Sequence, residues 1–325
     1  MRSPSFLLAG LLLTSTSPIP VESDGKLLLS FELHLSQPPQ QVRLLDAGSG
    51  RELADYTGDT LKRRLAGSIL YVELTETADS LPHQILPEID AQKLDPIPVA
   101  APAVDRIGPP FAKGFWAAVH SPDWARGHRR VTTDIDGKTR IPGRFAIDWV
   151  GLDEQGHIRS GDPDRPSDSI GYGEPVLAGA DAKVAAARDN MAESPSIKGN
   201  PKHTLSEAAG NYVALDLGDG HFLFYEHLKP GSVRIKAGQT VRRGEVIGEL
   251  GFTGDSTGPH LHMHVADSSD PAGAEGLPFI QEGFIRIGRY NDIGRLGSAR
   301  WDSEKEATRP DWPGSNVVGW FKKPS

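Results

Sequence analysis

The sequence predicts an all-β protein: a small N-terminal β-sandwich-like domain followed by a larger β domain. Three observations carry that expectation. Gly and Pro supply 62 of the 325 residues, about 19%, against roughly 12% in an average chain. They show no repeat or collagen period, which suits many turns between short strands. Apolar residues alternate with the period of a strand in 27–35, 68–74, 145–150, 211–217, 221–228 and 260–266. The length suggests two domains, and Asp95-Pro96-Ile97-Pro98-Val99-Ala100-Ala101-Pro102 offers a stiff, extended break between them.

The chain opens with Arg2 and an apolar run from Phe6 to Leu13, followed by Thr, Ser and Pro18. That outline reads as an export signal over 1–22. It places the protein in the periplasm or outside the cell. The run is too short to span a bilayer, so no integral membrane protein is expected. A β-rich accessory domain then covers 23–94 and the Pro-rich linker 95–108. The larger domain covers 109–287, with a strand over 129–135 and a hairpin turn at Asp136-Gly137. The polar stretch 189–210 reads as a long rim loop, and 288–325 as an irregular tail.

Composition narrows the chemistry. There are no cysteines and 11 histidines. Thiol nucleophiles, zinc ribbons and iron–sulfur clusters are therefore excluded, and a metal site must use His and carboxylates. The formal charge of −8 argues against nucleic acid as a partner, since that needs a basic face.

The chemistry concentrates in three places. Gly258-Pro259-His260-Leu261-His262-Met263-His264-Val265 puts three imidazoles on one face of a strand, with Leu261, Met263 and Val265 toward a core. Phe222-Leu223-Phe224-Tyr225-Glu226-His227-Leu228 alternates so that Tyr225 and His227 share a face, with Phe222, Phe224 and Leu228 on the other. Arg144-Phe145-Ala146-Ile147-Asp148-Trp149-Val150 interrupts an apolar strand with Asp148, and a buried Asp needs a cation or several donors. Between them, Gly at the corners of short strands from Gly231 to Gly254 suits a tightly turned barrel.

Taken in order, Phe145-Ala146-Ile147-Asp148, Tyr225-x-His227-Leu228, Gly238-Gln239-x-Val241-x-x-Gly244 and Gly254-x-Ser256-Thr257-Gly258-Pro259-His260-Leu261-His262 resemble the lysostaphin/LytM-type peptidoglycan metalloendopeptidases over roughly residues 140–268. The resemblance implies a LytM-like β-barrel or sandwich with an open groove. It implies one Zn2+ held by an H-x-x-x-D pair and the second His of H-x-H. Asp148 and His262 match metal ligands, and His260 and His227 match the two catalytic histidines. It further implies a peptidoglycan peptide as substrate, with His260 as general base and His227 donating to the oxyanion.

One position departs from the pattern. Arg144 stands where the first ligand belongs, and a guanidinium has no lone pair to donate. Two readings stay open. In one, His128 supplies the third ligand. A hairpin at Asp136-Gly137 pairs positions summing to about 272–273 and sets His128 across from Arg144 or Phe145. His264, on the same strand face, is the second candidate. In the other, Arg144 pairs with Asp148, there is no zinc, and the protein is a degenerate cell-wall binding or regulatory protein with a cell-wall enzyme as partner.

Overall fold

The computed structural model describes residues 12–13, 17–122, 124, 127–135 and 137–322. Most of the predicted export signal lies outside the described residues, as does Asp136 of the predicted turn. Among the described residues no helix is long and apolar enough to cross a membrane. The chain divides into two compact units with a boundary at Ala103–Val104.

The first unit is built from two antiparallel sheets. In one, Lys26–His34 pairs with Ile69–Glu76, and Val21–Ser23 pairs with Lys26–Leu28. The domain start expected at residue 23 therefore falls inside a strand. In the other, Gln41–Asp46 lies between Glu52–Thr57 and Gln84–Ile89. Leu29, Phe31 and Leu33 from the first sheet share one core with Val42, Leu44 and Ile85 from the second, all at most 2% exposed. Each fully buried aliphatic side chain contributes on the order of 1.5–3 kcal/mol, so this alternation accounts for a sandwich-like unit without chemistry of its own.

The predicted linker over 95–108 is shorter than expected. Ile97–Pro98 pairs with Gln84–Ile85 in the first unit, and Asp105–Ile107 runs parallel to Phe279–Gln281 in the second. Pro98 is tolerated because Ile97–Pro98 is the edge strand of its sheet, where a missing N–H costs no ladder bond.

The second unit is organised on one antiparallel sheet of eleven strands, ten in a linear order and Gly276–Leu277 paired to Leu261–Ala266 off that path. At its centre His221–Leu228, Leu261–Ala266, Ile147–Leu152 and Phe115–Val119 lie side by side. Trp149, Leu261, Met263 and Leu223 are fully buried on one side, and Trp149 packs edge-on against Phe284 and Phe321, each 5.0 Å away. The other side carries the polar positions Asp148 and His262, which face each other across the ladder.

Two expectations need correction here. The tail is not irregular: Asp302–Ala307 and Val317–Phe321 are strands, and Val317–Phe321 sits between Phe115–Val119 and Phe284–Arg289. Buried Val317, Val318 and Phe321 drive its insertion. The strand expected over 129–135 is confined to Thr133–Ile135, which pairs with Lys138–Arg140. His128–Arg130 instead forms a 3-10 turn. The loop expectation holds, since no helix or strand lies between 189 and 210.

Candidate metal centre

Asp148 and His262 are cross-strand partners, so the ladder fixes their approach before any ligand is considered. His262 Nδ1 lies 3.0 Å from Asp148 Oδ1. The H-x-H spacing sends His260 and His262 to the same side, and His260 Nε2 is 3.1 Å from that same oxygen.

His128 reaches the other oxygen. Its Nε2 lies 3.0 Å from Asp148 Oδ2, and its Nδ1 is 3.3 Å from the carbonyl of Ala146. A carbonyl only accepts, so Nδ1 donates and Nε2 is left for the site. The short hairpin at 133–140 has the expected register sum, Thr133 facing Arg140. The ladder does not run on to His128; the 3-10 turn does the final placing. Gly143 permits the close approach, since a Cβ there would stand 2.8 Å from the Cβ of His128.

Arg144 is elsewhere. Its guanidinium pairs with the buried carboxylate of Glu275 and lies 3.3 Å from the Gly276 carbonyl. Glu275 also accepts from the backbone N–H of Ile141 at 3.0 Å. The expected alternative, an Arg144–Asp148 pair, is thus replaced by an Arg144–Glu275 pair that ties the chain before Asp148 to the segment after His264.

His227 corrects the alternation argument. Tyr225 and His227 do not share a face. Tyr225 is fully buried in the core and its hydroxyl is 2.6 Å from the backbone N of Gly179. Phe224 and Glu226 are the residues on the His262 side, since Glu226 faces His262 and Phe224 faces His264. His227 returns to the site because the register with Asn211–Gly218 slips between Asn211 and Val213. The residue takes a left-handed φ of 62°, which costs an L-residue about 1–2 kcal/mol. Such a bulge re-aims one side chain. The His227 ring centre lies 4.8 Å from that of His260. Its Nδ1 donates to the Thr253 carbonyl at 2.8 Å, and His260 Nδ1 donates to the Gly258 carbonyl at 2.7 Å.

Three groups among the described residues bring ligand atoms within 4.8 Å of one another: His128, Asp148 and His262; His227, His260 and His262; and Glu226, His262 and His264. The first is the tightest by direct contact. Bonds of 2.0–2.1 Å to a tetrahedral zinc place ligand atoms about 3.3 Å apart, close to the two 3.0 Å separations around Asp148. A carboxylate cannot donate, so three imidazole nitrogens aimed at Asp148 need either protons or a shared cation between them. The donor set fits a divalent ion of the zinc type. In the third group the nearest approach, His264 Nδ1 to Glu226 Oε1, is 4.0 Å. His264 is 2% exposed and stacks on Phe224 at 4.7 Å. Neither of its nitrogens has a hydrogen-bond partner, so it behaves as a flat core filler.

Burial and charge work against each other here. Burial opposes ionisation of Asp148, but the imidazoles of His128 and His260 outweigh it and hold the carboxyl well below its usual range. Burial pulls the His260 imidazole down, and Asp148 more than restores it. Burial, with His260 and His262 as neighbours, drives His227 well below the ordinary histidine range, and burial takes His262 to about 4. Glu226, which sequence reasoning passed over, is pushed up to about 8 by burial. Its only signal in the sequence was its place beside His227.

Residues 169–273 match the family model for peptidase family M23. The match covers 105 of the 325 residues. The M23 match agrees with sequence likeness to the peptidoglycan DD-endopeptidase ShyA of Vibrio cholerae, 42% identical over 66 residues, 20% of this chain and 15% of ShyA. Lysostaphin of Staphylococcus simulans is 37% identical over 103 residues, 30% of this chain and 20% of lysostaphin. An uncharacterized metalloprotease of Haemophilus influenzae is 40% identical over 94 residues, 29% of this chain and 16% of that protein. The chain thus spans between about a seventh and a fifth of the length of these curated relatives. The solved catalytic domain of S. simulans lysostaphin aligns with 51% of this chain and 88% of its own, at 21% identity and a TM-score of 0.25.

Proposed function

We propose that the chain is an exported zinc metalloendopeptidase that cuts peptide cross-links or stems of peptidoglycan, with His128, Asp148 and His262 as the metal ligands. The observation that carries this reading is the 3.0 Å approach of His128 Nε2 to Asp148 Oδ2. It provides a third ligand where Arg144 cannot, and catalytic zinc sites commonly use three. Asp148 brings a charge that favours the cation, and the two histidines bring neutral nitrogen donors.

When bound, zinc supplies Lewis acidity, which lowers the pKa of a coordinated water from 15.7 to about 7 and polarises the scissile carbonyl. His260 is the general base. With its Nδ1 proton committed to Gly258, a neutral ring offers Nε2 to the proton of the attacking water. A neutral His227 ring, its one proton on Nδ1 against Thr253, likewise presents a lone pair at Nε2. A donor role toward the developing oxyanion would need a second proton on Nε2, which burial opposes. The expected donor role for His227 therefore applies to its protonated form.

Metal analysis of purified protein loaded with zinc tests the reading, together with mass spectrometry of fragments released from peptidoglycan. About one zinc per chain and cleavage at a peptide bond are expected, both lost in His262→Ala. Fewer than about 0.1 zinc per chain at saturating metal would overturn it and leave a wall-binding protein without catalysis.

A further inference from the structure

The loop 189–210 has no regular structure, yet two of its side chains, Glu193 and Asn200, bond one strip of backbone, 251–258. Glu193 Oε1 accepts from the Phe252 N–H at 2.6 Å, and its Oε2 accepts from the Tyr172 hydroxyl at 2.6 Å. Asn200 places both protons of its amide, one on the Gly254 carbonyl and one on the Ser256 carbonyl, each at 3.0 Å. The loop's end packs on the same strip. Asp255 N donates to the Ala208 carbonyl, and Gly254, at φ +77°, touches Ala208 and Gly210 so closely that a Cβ would collide with both.

That strip holds the acceptors of both catalytic candidates. Thr253 provides the carbonyl for His227 Nδ1, and Gly258 provides the carbonyl for His260 Nδ1. Ser256 completes the turn: its Oγ donates to the Gly258 carbonyl at 2.7 Å and lies 3.2 Å from His260 Nδ1. The Asn200 amide ties this turn from outside to the backbone one residue on each side of Asp255, whose carboxylate also lies 3.6 Å from Lys202 Nζ.

We propose that Asn200 is a positioning residue for His260: by clamping the 254–256 turn it fixes the Gly258 carbonyl, and with it the tautomer and aim of the His260 ring. The proposal rests on the peptidase reading for its consequence, not for its geometry. Asn200 touches none of the three proposed ligands, so zinc binding is not its business. A side chain that holds a base through two intervening hydrogen bonds acts on kcat and leaves KM nearly alone, and a misplacement near 1 Å is worth up to about 100-fold.

The test compares Asn200→Ala, which removes both donors, with Asn200→Ser, which keeps one. Three quantities are read in the full-length chain: zinc per chain, kcat and KM on a peptidoglycan peptide, and the imidazole 15N spectrum of His260. Expected are unchanged zinc, a 10- to 100-fold fall in kcat in the alanine variant, unchanged KM, and partial recovery with serine. The His260 15N signals should move from a single Nδ1–H tautomer toward a mixture. An unaltered His260 spectrum with an unaltered kcat would overturn the proposal, as would a fall in kcat matched by loss of zinc. If the parent chain cleaves nothing, the spectrum still decides: a shift on substitution upholds the positioning role while the peptidase reading alone fails.

Discussion

His128 Nε2 stands 3.0 Å from Asp148 Oδ2, although twenty residues and a short hairpin separate them in the chain. The contact groups three possible ligand residues, His128, Asp148 and His262, that the local sequence around Asp148 does not contain. The third candidate ligand thus stands on a 3-10 turn and not on the strand that carries Asp148.

Removing that imidazole should cost the metal while leaving the fold intact. His128→Ala is expected to lower zinc affinity by at least about 100-fold, beyond the 10–100-fold typical of a second-shell loss, with the far-ultraviolet circular dichroism unchanged. Isothermal titration with zinc measures it. A variant that still binds one zinc with parental affinity would transfer the ligand role to His227 or His260.

Arg144 should matter for stability and not for the metal. Its partner Glu275 has a side chain 2% exposed. Arg144→Met takes the guanidinium away from a buried carboxylate, a change that costs about 3–5 kcal/mol. The double variant Arg144→Met with Glu275→Met should recover most of that loss. Urea unfolding gives the stability and metal analysis gives the zinc. Loss of zinc from a chain that remains folded would tie Arg144 to the metal site instead.

His264 should be dispensable as an imidazole. Its nitrogens are unpartnered and its ring lies within 6° of parallel to Phe224. His264→Phe keeps the plane and removes two unsatisfied polar atoms, so stability should stay within about 1 kcal/mol of the parent or rise. Zinc stoichiometry should not change. A variant that folds and fails to hold zinc would restore His264 as a ligand.

In the first unit, Glu76 gives a pH signature. Burial raises its carboxyl, but the two-point contact with Arg51, at 2.9 and 3.2 Å, outweighs burial and brings it below its ordinary value. A carboxyl depressed in the folded state adds stability above the unfolded pKa, and that stability is lost as pH falls through the folded value. Glu76→Gln should therefore lower the unfolding temperature at pH 7. The gap from the parent should close as pH drops below about 4, near the ordinary carboxylate value. A gap that widens in acid would reverse the sign.

Much of the site was legible because strand geometry converts spacing into direction. Asp148 within an apolar strand, and His260, His262 and His264 at every second position, needed only period 2 to be placed on one side. The same rule misplaced His227, because a bulge opposite Asn211–Val213 adds a residue between Tyr225 and Leu228 that alternation cannot see. It also undervalued the tail, whose Val317–Phe321 strand is short and interrupted by Gly319.

The all-β class, the restriction of any metal to His and carboxylate ligands, and the candidacy of Asp148, His227, His260 and His262 could be read from the sequence alone. These follow from composition and from contacts local enough to obey a fixed period. Tertiary structure decided what Arg144 and His128 do. Arg144 turns to Glu275 and His128 to Asp148 because a turn, a glycine and a distant carboxylate place them, and no periodicity links residues brought together that way.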